Sequence, residues 1–465
     1  MTRGSSLTFI PIALTLNRER SEDLKGHRRR RRPSSLFLSP IFKGEICRSC
    51  RVLHGARSNL QETEKRQENC KVTSVSDTLD CQHFSFCDGC LLAQSLTTPP
   101  CSKKIEEYFW KQKVRVLFHS DTPVHGWRSV ARLAVRRDDK GRTRIGLFKE
   151  DSHSVVEIPH CRVHHPLING EMETVKKAMK ETGVSGYDED REEGQLRYIQ
   201  MSVEHRSQTL QAAFVWHAPR LKEAGPLCKR FMRSLERSSS KFHSLWLNFN
   251  TSRGNRIFNF DQSSWLLYSG KRYALESIGG VNIYFPPYVF RQSNIEMLKE
   301  LVKEISKYIE PRTKVLEFYA GVGAIGIPVA YLSGAELVGA CELNGLSKEA
   351  YLKATWALTP SQRHNAEFFI GTAAAHRDKL RFSEVIIVDP PRSGMDYALA
   401  ARLSSVRDND IIKRIIYVSC KFESLQRDLE IIQRNGKWTL RKAEAFLFFP
   451  GTDHWELLCV LDRKV

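Results

Sequence analysis

No stretch of this 465-residue chain comes near 18 consecutive apolar residues, so no helix is expected to span a bilayer. Its twelve cysteines are too few and too scattered for a small disulfide scaffold. The first residues do not read as a secretory signal, so a reducing compartment with some cysteines as ligands is expected. No internal repeat is visible. Acid is in short supply: 53 Asp and Glu face 72 Lys and Arg, for a net charge of +19. That balance suits a polyanionic partner such as nucleic acid, although a basic leader on an ordinary basic protein gives the same total. The length allows two or three domains with sizeable cores.

Residues 1–75 differ from the rest. They carry the run Arg28 to Arg32, serine-rich pieces and no sustained periodicity. A disordered basic leader fits, and an organelle transit peptide for chloroplast or mitochondrion is one expectation. A nuclear signal or a plain solvated tail, with the protein in nucleus or cytoplasm, is the other. Residues 76–285 read as a central α+β domain. Within it 103–113 is an amphipathic helix, and 127–148 is a hairpin turning at Asp138-Asp139-Lys140-Gly141. Arg128, Arg132, Arg136, Arg142 and Arg144 form a ladder on that hairpin, either for RNA phosphates or as a solvated strand face. Residues 171–193 read as an acidic helix. Residues 196–285 read as strands broken at Ala224-Gly225-Pro226 and Gly279-Gly280. From 286 to 465 the pattern alternates: strands at KVLEFYA, AELVGACE, EVIIVD, RIIYVSC and WELLCVLD, with helices between most of them. That predicts an α/β, doubly wound, Rossmann-like domain.

Cys81, Cys87 and Cys90 lie close together in CQHFSFCDGC, and Cys161 follows in IPHCRVHHP. Three near thiols and one distant thiol can surround one metal centre, either zinc or an iron–sulfur cluster. The five-residue gap is wide for a zinc knuckle and favours the larger cluster, with free buried thiols as the alternative. His83, His160, His164 and His165 are nearby and read as structural. Cys101, Cys228, Cys341 and Cys459 read as packing residues, and Cys47 and Cys50 as incidental.

VLEFYAGVGAIGI leads from a strand through Gly321, Gly323 and Gly326 into a helix, and AELVGACE ends in Glu342. Glycines there allow close approach of a nucleotide, and a carboxylate at the next strand tip can take two ribose hydroxyls. The pattern alone suits adenosylmethionine or NAD. Asp389-Pro390-Pro391-Arg392 after the next strand is unusual for a dehydrogenase. Gln292 and Asn294 precede the first helix of this domain, as floor of a cofactor pocket or, for Asn294, as a helix cap. Cys420 ends the β-branched run IIYVSC, and Glu456 follows 36 residues later. A thiol at a strand's carboxyl end and a distant carboxylate are what adding to, then deprotonating, an electron-poor ring requires.

CxHFxxCxGC, IxxCxVxHP, FxQxN, a strand–GxG loop, DPPRxG, YVSC and FPxTxHxE occur here in one order, from Cys81 to Glu456. The chain thereby resembles the RNA uridine-5-methyltransferase family, which makes 5-methyluridine in ribosomal or transfer RNA. The resemblance implies that Cys81, Cys87, Cys90 and Cys161 hold a [4Fe-4S] cluster. It implies that Gln292, Tyr319, Glu342 and Asp389, with the loop glycines Gly321 and Gly323, meet S-adenosylmethionine. It implies that Cys420 is the nucleophile and Glu456 the base. The expected partner is RNA, with no membrane and a monomeric state. Departures from the family pattern are Glu317 for Asp, Ala320 for Cys, Ala324 for Asn, Leu447 for an acid, and Lys421-Phe422 for Asn-Pro. No small β-barrel module is evident before Cys81. An RNA-binding or folding factor that lost activity and an NAD-dependent iron–sulfur oxidoreductase are the competing classes. A 5-cytidine RNA methyltransferase would offer a Pro-Cys pair, and residues 286–465 have none.

Overall fold

The computed structural model describes residues 77–150, 152–253, 256–363 and 366–464. The expected leader lies outside the described residues, as do Cys47, Cys50 and Cys70. No described helix is long and apolar enough to cross a membrane.

A helix, Cys101–Lys111, precedes the short strand β1 (Val116–His119). A seven-stranded sheet follows: β2 (Val130–Arg137), β3 (Thr143–Phe148), β4 (Val155–Glu157), β5 (Leu196–Glu204), β6 (Thr209–Trp216), β7 (Phe242–Phe249) and β8 (Trp265–Gly270). Its order is β4-β3-β2-β5-β6-β7-β8. Only the β6–β7 pair is parallel, because the helix Leu221–Ser238 carries the chain across between them. That helix and the helix Pro166–Thr182 cover one face, burying Met172, Val175, Phe231 and Leu235 against β5 and β6. Each such side chain contributes about 1.5–3 kcal/mol by leaving water.

The β2–β3 hairpin turns where its sequence says. Asp138 and Arg142 close the turn, with Gly141 at φ +74°. Two expectations need correcting. The helix read over 171–193 stops at Thr182, because Gly183 takes a left-handed conformation (φ 77°) and caps it. The break read at Ala224-Gly225-Pro226 is a kink at Gly225 inside a helical region, not a gap between strands.

The arginine ladder is spent mostly inside the molecule. Arg136 is buried, with Nη2 on the Tyr198 hydroxyl (2.7 Å) and Nε on Glu189 (2.9 Å). Arg132 donates to Gln200 (2.6 Å), and Arg144 pairs with Glu157 and Asp138. Arg142 also reaches Asp138. These partners lie on other strands or in the turn, so the ladder works as internal fastening rather than a free row for phosphates.

The hairpin β9 (Ala274–Ile278) and β10 (Val281–Phe285) turns through Gly279-Gly280, both at positive φ. It packs into the core of the second sheet, not the first. That sheet contains β11 (Lys314–Phe318), β12 (Glu336–Glu342), β13 (Glu367–Ile370), β14 (Val385–Val388), β15 (Arg414–Ser419), β16 (Trp438–Phe446) and β17 (Glu456–Arg463). With β1 as its eighth strand, the order is β1-β16-β17-β15-β14-β11-β12-β13. Strands β15, β14, β11, β12 and β13 are parallel, and β17 is antiparallel to both neighbours. Alternate residues feed two cores: Ile387, Ile416 and Val418 on one face, Ile386, Ile415 and Tyr417 on the other. The helices Ile295–Ser306, Gly326–Ser333 and Lys348–Ala354 cover the first face. Tyr397–Ser404, Phe422–Gln433 and Cys101–Lys111 cover the second. Both faces are dry, which explains why these strands read as continuous apolar runs. This is the expected α/β Rossmann-like architecture. Residues 101–119 and the β9–β10 hairpin join it physically, although the sequence reading assigned both to the central domain.

Candidate active site at the carboxyl ends of the strands

The glycine loop leaves β11 with Tyr319 at φ +60°, an uncommon conformation for a side chain with a Cβ. Its hydroxyl is held by Asp396, accepting the Asp396 N–H (3.0 Å) and donating to Oδ2 (3.3 Å). Gly323 sits at φ +76°, and a Cβ there would meet Ile327 at 2.5 Å and Tyr351 at 2.8 Å. A Cβ on Gly326 would meet Glu317 Oε2 at 2.4 Å. Glycine at 326 is therefore a packing requirement, while Gly321 (φ +56°) has open space where a Cβ would be. Glu342, at the tip of β12, accepts the Gly321 N–H (2.9 Å) and the Asn344 N–H (2.7 Å). The carboxylate thus fastens the loop it faces.

Gln292 is fixed through its neighbours. Arg291 is buried against Glu276 (2.5 Å) and donates to the Val203 carbonyl (2.6 Å). The Ser293 carbonyl accepts both the backbone N–H and the hydroxyl of Ser129. The Gln292 side chain itself is half-buried and makes no hydrogen bond among the described residues. Asn294 is a cap: its Oδ1 accepts the Met297 N–H (3.2 Å), and its amide reaches Thr122 and the Phe448 carbonyl.

Cys420 follows β15 and Glu456 begins β17. Ser419 pairs with Leu457 as the last pair between these antiparallel strands; Cys420 and Glu456 are the next residues on the two chains, close enough for the carboxylate to act on the thiol. Glu456 is completely buried, and neither carboxylate oxygen has a hydrogen-bond partner among the described residues. Burial pushes it well above the usual carboxylate range, nearby Asp389 pushes it further, and Arg392 pulls it back. The Cys420 thiol is pushed up to about 12, first by burial, then by Glu456 and Asp389, against the pull of Arg392. Asp389 rises to about 7 through burial. Glu317 rises to about 8, through burial and then through Asp389 and Glu342, against an N–H from Gly326. Asp389 therefore acts on the thiol–carboxylate pair and on the floor of the glycine loop alike. The two halves of the site adjoin each other at that residue.

The family departures have local explanations. Phe422, in place of Pro, opens the helix Phe422–Gln433 and packs edge-on against Tyr108 (5.3 Å between centroids). Phe448 and Leu447 are fully buried. Phe422 and Phe448 are therefore core residues, and Phe449 is partly buried beside Trp127.

Cys81, Cys87, Cys90 and Cys161 line one cavity, with His83, Arg128 and His164 among the other walls. None is in a disulfide. Burial raises the Cys87, Cys90 and Cys161 thiols, Cys90 to about 12, where Arg128 opposes the rise. Among the described residues, no three His, Cys, Asp or Glu side chains are gathered closely enough to hold a single metal ion. His165 caps the helix Pro166–Thr182, a structural role as expected. Cys228, Cys341 and Cys459 are buried packing residues. Arg128, whose charge also bears on Arg392, was not singled out within the ladder; burial pulls its guanidinium down. In the sequence it stands only as the first member of that ladder, just after Trp127. Asp453 accepts the Cys101 N–H (2.7 Å), a contact that no spacing in the sequence marks.

Residues 282–464 match the family model for tRNA (uracil-5-)-methyltransferase. An uncharacterized RNA methyltransferase of Protochlamydia amoebophila is 34% identical over 83% of this chain and 98% of its own length. One from Geobacter sulfurreducens is 28% identical, over 83% of this chain and 77% of its own. Among solved structures, the Pyrococcus abyssi tRNA (uracil-54, C5)-methyltransferase, in complex with S-adenosyl-L-homocysteine, shares the fold with a TM-score of 0.62. It is 24% identical, over 77% of this chain and 80% of its own. With the ordered motifs and the strand-end site, these likenesses show that the chain belongs to the adenosylmethionine-dependent RNA uracil-5-methyltransferases.

Proposed function

We propose that this enzyme forms 5-methyluridine in a ribosomal or transfer RNA through a transient bond between Cys420 and C6 of the target uracil. The observation that carries the reading is the pairing of β15 with β17 that ends just before Cys420 and Glu456, which leaves the thiol beside a buried carboxyl with no hydrogen-bond partner of its own among the described residues. Adenosylmethionine supplies the electrophilic methyl group. The Cys420 thiolate adds to C6, and the ring electrons move onto C5, C4 and O4. C5 would take the methyl group as the sulfonium's carbon–sulfur bond breaks, its electron pair staying on the sulfur of the departing S-adenosylhomocysteine. Glu456 then accepts the C5 proton, the C5–C6 double bond re-forms, and the thiolate leaves with its electron pair. Arg392 stabilises the thiolate, and Asp389 and the Glu342-fastened loop hold the cofactor side. The target base must leave its stack to reach this buried pair.

The four thiols on one cavity suit a [4Fe-4S] cluster as a donor set: all sulfur, none oxidised to a disulfide, and partly withdrawn from water. Cys81, Cys87, Cys90 and Cys161 would hold it. The basic leader suits delivery to an organelle. Methylation of unmodified transfer and ribosomal RNA by the purified protein tests the function. Incorporation at one uridine supports it. Ordinary turnover by Cys420→Ala would remove the covalent scheme.

A further inference from the structure

The loop that ends in Glu456 is held from outside its own sheet. Gly451 (φ +87°) accepts two backbone N–H groups at its carbonyl, from Leu91 (2.8 Å) and Leu92 (3.0 Å). These residues follow Cys90 directly. Two residues beyond Gly451, the Asp453 carboxylate accepts the N–H of Cys101, the first residue of the helix Cys101–Lys111 (2.7 Å). The Trp455 indole then donates to the Ser102 hydroxyl (2.9 Å). Residues 91–102 therefore grip residues 451–455 at three points, from a part of the chain some 350 residues away. The helix they lead into packs on Phe422, two residues past Cys420.

We propose that residues 91–102 form a strap that sets the position of Glu456, with Asp453 as its positioning residue. Glu456 has no hydrogen bond to hold its carboxyl. Its aim is set by backbone alone, and the backbone just before it is fixed by these contacts. A carboxylate at the amino end of a helix is a favourable contact, since it satisfies a free N–H and meets the helix dipole. Asp453 does not touch the reacting atoms. Its loss acts by letting the Glu456 loop drift, and a drift near 1 Å costs on the order of 10²-fold in rate.

The inference rests on the covalent reading, and the experiment separates the two. Wild type, Glu456→Gln, Asp453→Ala and Asp453→Asn are each mixed with RNA and adenosylmethionine. Turnover, RNA KM and the fraction of protein in a denaturation-resistant RNA adduct are measured. Asp453→Ala should lose on the order of 10²-fold in kcat with RNA KM little changed, and should accumulate adduct because proton removal is the step that fails. Asp453→Asn keeps an oxygen acceptor and should recover most of the rate. If Asp453→Ala fails to fold, Ser102→Ala, which frees the Trp455 indole and, within the strap itself, the Pro99 carbonyl, should show the same adduct build-up in milder form. Adduct with Glu456→Gln but none with Asp453→Ala or Ser102→Ala would overturn the strap and leave the covalent reading standing. No adduct with Glu456→Gln would overturn both.

Discussion

Glu456 is the strongest charged influence on the Cys420 thiol, ahead of Asp389 and opposed by Arg392. The base thus strengthens the nucleophile's hold on its proton, while burial and Asp389 strengthen the base's own. The site is built so that its protons are lost late, when pH or a neighbouring positive charge favours the ionised forms.

That arrangement sets a pH dependence. The thiol is pushed up to about 12 and Asp389 to about 7, and Glu456 is also raised. The thiol must ionise before it adds, and Glu456 must be ionised before it takes the C5 proton, so single-turnover rate should climb with pH from 6 to 9. Arg392→Ala removes the cation that favours both ionised groups, and its rising limb should shift to higher pH. A wild-type rate that falls over this range, or an unmoved limb in the variant, would contradict the electrostatic assignment.

The glycine loop gives a binding prediction. Gly323→Ala puts a methyl group within 2.5 Å of Ile327 at a backbone angle that alanine resists. Strain of this kind costs about 1–3 kcal/mol, so adenosylmethionine should bind roughly 10- to 100-fold more weakly by calorimetric titration. Glu342→Ala should weaken it too, since it frees the Gly321 and Asn344 N–H groups. Gly321→Ala meets no atom within 4 Å and should cost less than Gly323→Ala.

Much of this was legible in sequence, for a reason that also marks the limit. The central parallel strands are covered on both faces, so runs such as VIIV and IIYVS announce themselves locally, whereas the parallel strand β13, with both ends exposed, does not. Gly279-Gly280 and Asp138–Gly141 are turns whose chemistry is local too. Strand β1 was invisible because its partner is β16: Val116 pairs with Ala443, and four residues of VLFH carry no signal alone. The helical region Leu221–Ser238 was hidden by Gly225-Pro226, where Gly225 leaves helical geometry (φ 71°) and divides it in two. Arg136 reads equally as a phosphate contact or a solvated strand residue because Glu189 and Tyr198, the partners that take it up, are more than fifty residues away. In the site, the motif residues were readable, whereas Asp453 is defined by a contact with Cys101 that no spacing reveals.

Glu317 offers a test of stability. Its carboxyl is buried, one oxygen is unpartnered, and it rises to about 8 from 4.5. A folded state that holds its proton longer than the unfolded chain loses stability as pH rises between those two values. The stability of cofactor-free Glu317→Gln relative to wild type should therefore increase from about pH 5 to pH 8 and then level off. Denaturant midpoints at each pH give the curve, and a flat difference would contradict the assignment.

The thiol cavity predicts a composition. Protein purified without oxygen should carry iron and sulfide with visible charge-transfer absorbance, and Cys87→Ser or Cys161→Ser should lose both. Bound zinc, or no metal in the wild type, would contradict the cluster.

The most direct measurement is made on Glu456→Gln with RNA, adenosylmethionine and a denaturing gel. A covalent scheme in which this carboxyl removes the C5 proton predicts a protein–RNA species that survives denaturation, contains the transferred methyl group, and disappears when Cys420→Ala is added to the same chain. Full turnover by Glu456→Gln, or an adduct that persists without the Cys420 sulfur, would contradict it.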